Sequence, residues 1–339
     1  MSGGDPSPLP GEAHPPGAVE QEVVLATVAV GPVVRDLRSA LAVLAQHARA
    51  PGLAAGPGRL DRVAWGAGQV LWAARLAWRD RALRKASLVP TLLTAVGCGV
   101  IAALYTLAKL NDGELPGGPF AAVHRYMTVL VALASMPPTL LQRQWLRVAR
   151  EARRALGLTP GDDAFAGRSL IRIVVVEWVK ALRQAAVVAV GLLPVVLALQ
   201  LLPDAVHAPA AALGLWAFYW VVVDAFELPM EVIPGPRHAG PEPWFARLLR
   251  TAGRRWWLRP IRWAGRFGGW LARPWREELD FTYRHRWESA GLGLAAGALL
   301  SVPLLGLAFR AVAIVAATAL VGRLEAGAAP ATAAAPAGS

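Results

Sequence analysis

The chain has 339 residues, 55% of them hydrophobic and only 17% charged, with a mean hydropathy of +0.41. Soluble domains carry about a quarter charged residues, so this balance excludes an ordinary soluble protein and fits a multi-helix membrane protein. The formal charge is +12 and there is a single cysteine, Cys98, which excludes a disulfide framework or a Cys-based metal site within one chain.

Residues 1–22 hold four acids, no Lys or Arg and several Pro-rich patches, and read as a disordered tail with no secretory signal. Residues 23–58 read as a short helical extension. Its apolar run, Val23 to Val34, carries Gly31 and Pro32 and is too short to span a bilayer. Arg35 to Arg49 reads as a helix, closed by Pro51.

From Leu60 to Ser87 the sequence predicts an amphipathic helix lying in the headgroup layer. It carries Arg75, Arg79, Arg81, Arg84 and Lys85, and then come 23 residues without a charge, Ala86 to Ala108. A helix of ~20 apolar residues matches the ~30 Å hydrocarbon core, and the cations ahead of it mark the cytoplasmic side. Phe120 to Leu141 reads as a second span, interrupted by His124, Arg125 and Pro137-Pro138. Arg143, Arg147, Arg150, Arg153 and Arg154 then return the chain to the positive side.

Two later apolar regions are each divided. Ala185 to Leu202 and Ala208 to Val223 are joined by Pro203-Asp204, and Ser289 to Phe309 contains Pro303 and is separated from Ala311 to Gly322 by Arg310. Length alone admits either two full spans or a hairpin that returns to the same face. The basic flanks lean toward same-side return. The tail 326–339 is Ala/Pro-rich and reads as disordered.

Residues 244–287 hold seven of the fourteen tryptophans and eleven arginines. Trp256, Trp263 and Trp270 recur every seven residues, and Arg255, Arg259, Arg262 and Arg266 form a second stripe. Such helices lie in the membrane interface with Trp at the acyl boundary and Arg toward lipid phosphates. A bilayer with anionic lipids is therefore an expected partner, and nucleic acid is not. Asp224, Glu227 and Glu231 fall at i, i+3 and i+7 on one helix face. They read either as a proton or cation site or as interfacial acids paired with nearby arginines. Arg310 interrupts an apolar region, where an arginine at the centre costs ~2.5–3.5 kcal/mol on insertion scales. It either lines an anion path or snorkels to the surface. Gly293 and Gly297 form a small-xxx-small pair of the kind that lets helices pack closely, between subunits or within one. The histidines lack ligand spacing, and no phosphate loop or nucleophile elbow occurs. No metal or cofactor is expected, and the chain is not expected to be an enzyme.

The stretch Ala73-Ala74-Arg75-Leu76-Ala77-Trp78-Arg79-Asp80-Arg81-Ala82-Leu83-Arg84, running into Leu88-Val89-Pro90, resembles the lead-in to the first span of the CysZ sulfate permease and etoposide-induced-protein family. Phe218 to Pro229, with Trp220 and Asp224, is similar to that family's aromatic–Asp–Pro exit. Trp287 to Leu324, with Val302-Pro303-Leu304, is similar to its terminal hairpin. The resemblance covers roughly residues 57–325, and the triplet that stands where the family has its anion-binding Gly-Leu-Arg is here Ala73-Ala74-Arg75. It implies an all-α integral membrane protein, residues 59–325, with two long transmembrane helices, two Pro-centred partly penetrating helical hairpins and amphipathic interfacial helices. It also implies a homo-oligomer in the inner (plasma) membrane with cytoplasmic termini, passing sulfate or another small oxyanion. Arg75 is then the first candidate ligand and Arg310 the second. The competing expectation is a non-transporting membrane scaffold that organises lipids or partner proteins through its Trp/Arg helices.

Overall fold

The computed structural model describes residues 35–49, 55–112, 118–135, 141–200, 208–235, 240–252, 259–300 and 305–328. All of the regular structure among them is helical. In chain order the helices are α1 (35–49), α2 (Arg59–Arg79), α3 (Arg81–Asn111), α4 (Gly118–Ser135), α5 (Gln142–Ala155), α6 (Leu170–Gln200) and α7 (Ala208–Ala225). After them come α8 (Glu227–Glu231), α9 (Trp244–Ala252), α10 (Arg259–Leu271), α11 (Arg276–Arg284), α12 (Arg286–Leu300) and α13 (Leu305–Ala328).

The lead-in predicted as one interfacial helix is broken at Asp80. Asp80 is extended, with φ −75° and ψ 119°, and its side chain accepts the Leu83 N–H at 2.7 Å. An aspartate in that conformation caps a new helix, so Arg81, Arg84 and Lys85 open α3 rather than close α2. α2 also has a buried side. Trp65, Gln69, Val70 and Ala73 are buried, and α2 packs along α12 and α13. The crossing is a backbone contact. A Cβ at Gly66 would lie 2.0 Å from the Glu288 carbonyl oxygen, and one at Gly291 would lie 1.9 Å from that of Val63.

α13 is the spine of the fold, buried without interruption from Ala311 to Val321 and touching α2, α3, α5, α7, α8 and α12. α3 is built the other way round. It buries Ser87, Pro90, Thr94, Ala102 and Thr106, and the two threonine hydroxyls donate to the carbonyls of Pro90 and Ala102 at 2.7 and 2.8 Å. Leu88, Leu92, Val96, Val100, Leu104 and Leu107, about one turn apart, are all exposed. Small and hydroxyl-bearing residues inside with large apolar ones outside is the pattern of a helix facing lipid.

Among the described residues two helical stretches are long and apolar enough to cross a membrane, Arg81–Asn111 and Ala211–Glu231, each with 22% of its apolar window buried. The first contains the expected span. The second lies in the region expected to form a hairpin, whereas α4, expected to span, has 18 residues with His124 and Arg125 in its first half and is not one of the two. Gly293 packs within the chain, where a Cβ would lie 2.2 Å from Val222 Cγ2 of α7. The Pro137-Pro138 break and the segments around Pro203 and Pro303 lie outside the described residues, as do the predicted tail 1–22 and residues 329–339, whereas residues 326–328, expected as tail, close α13.

In a helix, Gly→Ala adds about 1 kcal/mol of intrinsic propensity. Gly97→Ala, whose Cβ meets nothing within 4 Å, is therefore expected to hold or raise the melting temperature in detergent. Gly291→Ala drives a Cβ into backbone and is expected to cost about 3 kcal/mol, read as a clear fall in the same thermal scan.

Candidate functional site: a buried charge network and a capped arginine

Pro229 lacks an N–H and cannot donate to the Ala225 carbonyl four residues back, and the helix leaving the apolar region breaks at Phe226. Two of the three predicted carboxylates converge on one cation after this break. Glu227 and Glu231 reach Lys180 of α6, with Oε1 atoms at 2.6 and 3.5 Å from Nζ, and Glu177 reaches the same ammonium at 3.0 Å. The Lys180 side chain is 22% exposed. The partner of Glu227 and Glu231 is thus a lysine, not the expected arginine.

Asp224 faces a different cation. Its carboxylate interacts with the Arg310 guanidinium, which also acts on Cys98 of α3. Arg310 lies over the Trp145 ring of α5 at 6.0 Å. Trp145 is 1% exposed, and its indole N–H has no hydrogen-bond partner among the described residues. The two features read separately from the sequence, the carboxylate face and the lone arginine of the last apolar region, are therefore one network of α5, α6, α7, α8 and α13. Glu177, Lys180 and Trp145 were missed. The signal for the first two was present, since a Glu and a Lys at i, i+3 follow the apolar run Ile173–Val176 on one helix face.

Arg75 lies elsewhere, on the exposed side of α2, and its Nη1 donates a short hydrogen bond to the Ala48 carbonyl at the end of α1. α1 is seated by its last turn. His47 is 6% exposed, with its ring edge-on to Trp65 at 6.3 Å, and a Cβ at Gly68 would lie 2.8 Å from His47 Cβ. Beneath this seat Arg323 of α13 donates to Gln69 Oε1 and lies over the Trp72 ring at 4.5 Å.

The Trp/Arg region forms a close helical pair. Gly265 and Gly269 of α10 face α9, where Cβ atoms would lie 2.9 Å from Leu249 Cβ and 3.1 Å from Ala246 Cβ. The opposite side exposes Arg259, Arg262 and Arg266, with Trp263 66% and Trp270 47% exposed. Trp263, Phe267 and Trp270 stack at 5.3 and 5.8 Å, and Arg183 of α6 lies over Trp270 at 4.8 Å. Arg255 and Trp256 lie outside the described residues.

Lys180→Met leaves three carboxylates facing one another without their cation. It is expected to cost about 3 kcal/mol, against less for Glu177→Gln, measured by thermal unfolding in detergent. Burial first, and the Arg323 charge second, hold the His47 imidazole below its ordinary value of 6.5. The undocked helix therefore takes up the proton first, so docking is strongest above pH 6.5 and weakens as pH falls below it. A red shift of Trp65 emission on acidification from pH 7 to pH 5, absent in His47→Gln, is the expected reading.

No family model, curated protein or solved structure matches the chain.

Proposed function

We propose that the chain is an integral membrane protein, built like the CysZ-type permeases, that lets sulfate or a similar small oxyanion cross passively. In this reading α3 crosses the inner membrane, and α6 with α7 and α12 with α13 are hairpins that enter and leave by one face. The protein works as a homo-oligomer with both termini in the cytoplasm.

The observation that carries this reading is the surroundings of Arg310. An ionisable residue among apolar helices marks an ion path more often than a structural accident, because burying it is expensive. Here a guanidinium, able to hold a tetrahedral oxyanion through two parallel N–H bonds, lies over an indole whose buried N–H meets no acceptor among the described residues. A buried donor without an acceptor costs about 1–3 kcal/mol, and an anion beside Arg310 supplies one. Asp224 serves as the resting counterion, which the anion displaces. Arg75, on the exposed side of α2, is the outer ligand. Lys180 with its three carboxylates is a latch between α6 and α8 rather than part of the path, since its excess of negative charge repels an oxyanion.

A second reading is favoured by the α9–α10 pair. Its glycine face is spent on internal packing while Trp263, Trp270, Arg259, Arg262 and Arg266 of α10 point outward, as a lipid-organising scaffold requires.

Sulfate flux into proteoliposomes separates the two. The permease reading expects flux in the wild type and at least a tenfold loss in Arg310→Ala, about 1.4 kcal/mol of lost stabilisation, with a smaller loss in Arg75→Ala. Flux untouched by Arg310→Ala removes that residue from the path. Absence of flux in the folded wild type leaves the scaffold reading.

A further inference from the structure

The Arg75 guanidinium is held by a helix end. Ala48 lies in the last turn of α1, where carbonyl groups have no partner within the helix and the macrodipole places roughly half a negative charge. An acceptor oxygen in a negative potential is what an oxyanion presents to an arginine. The last turn of α1 therefore imitates the ligand assigned to Arg75.

The seat is shaped for this end of the helix and for little else of it. His47 and Ala48 are each 6% exposed, whereas Leu37 and Leu41, further back, are each 55% exposed. Gly68 leaves room for the His47 Cβ, and Trp65 meets the imidazole edge-on. Ser39 Oγ donates to Asp61 Oδ1 at 3.3 Å and ties down the outer part. An element with so few buried apolar contacts opens locally at little cost.

We propose that α1 is a built-in competitor, whose C-terminal carbonyls occupy Arg75 at rest and which a small oxyanion displaces. The inference rests on the reading of Arg75 as an anion ligand. One carbonyl offers one hydrogen bond, while a tetrahedral oxyanion offers two coplanar acceptors to the same guanidinium. The exchange is therefore favoured by the anion once it is present in sufficient concentration, and the competing helix weakens apparent binding by the fraction of time that it is docked.

The test uses the full chain in nanodiscs, with Cys98→Ser and nitroxide labels at Leu37→Cys on α1 and Trp78→Cys on α2, both exposed. Electron–electron dipolar distances are recorded while sodium sulfate is titrated against sodium chloride of equal ionic strength. Sulfate is expected to convert the docked distance into a longer, broader population, and chloride is not. Arg75→Gln is expected to show the long population without sulfate and no further change. Gly68→Ala, which crowds His47 while sparing Arg75, is expected to undock α1 and to bind sulfate about fivefold more tightly by calorimetry. A docked distance that sulfate does not alter overturns the proposal, as does unchanged sulfate affinity in an undocked Gly68→Ala. Sulfate-driven undocking in a protein that shows no flux supports the competition and removes only the transport reading.

Discussion

Where α2 crosses α12, two helix backbones meet with no side chain between them, Gly66 against the Glu288 carbonyl and Gly291 against that of Val63. This contact sets the positions of the elements around it. It makes one side of α2 a wall of the core while the other side stays exposed. With Trp65, Gln69, Val70 and Ala73 turned inward, Arg75 faces outward beside the seat of α1. The same wall closes over α13, so that its run from Ala311 to Val321 is fully buried. Arg310, one residue before that run, is left at its open end, next to Trp145 and Asp224.

Hydropathy does not distinguish these helices; burial does. α3 and α13 are both apolar along most of their lengths, yet α3 turns its leucines and valines outward while α13 turns every residue of its central run inward. An apolar helix that exposes its large side chains in water loses the main driving force for folding, and the exposed face of α3 is compatible with a helix that crosses a membrane. The central run of α13 exposes no such face. The Lys180 latch obeys the same constraint. Two carboxylates one turn apart, Glu227 and Glu231, are tolerable away from bulk water only when a cation is shared between them, and α6 supplies Lys180 from a position where Glu177 completes the cluster.

Much of this was legible in the sequence, and the remainder was hidden for definable reasons. The uncharged run Ala86 to Ala108 lies wholly inside α3 because length and charge exclusion are one-dimensional properties. The spacing of Glu227 and Glu231 survived a helix break that Pro229 itself announced. The electrostatic pairing of Arg310 with Asp224 was not legible, since it couples residues 86 apart in sequence. Gly66 and Gly291 gave no signal either. A glycine in a helix is only a mild penalty until a particular neighbour is known, which also explains how Gly293, weighed as a packing glycine, turned out to seat Val222 of the same chain. Asp80 was readable in principle, as an acidic residue three positions before Leu83, but the continuous basic pattern on both sides concealed the cap.

The two arginines singled out for an anion share one feature, which is that neither guanidinium is left without an internal acceptor. Arg75 donates to the Ala48 carbonyl, and Arg310 faces the Asp224 carboxylate. Each guanidinium already has an internal partner, so any anion that comes to it arrives as a competitor. Competition of this kind lowers affinity without lowering selectivity. The displaced acceptor sets how much binding energy is given up, and the planar fork still chooses what can replace it. A passive path needs that combination, because an ion held by the full strength of a dry arginine would enter and not leave. The internal acceptors are thus as much a part of the proposed path as the arginines. Removing Asp224 or the last turn of α1 should tighten binding, and at Arg310 it should slow release.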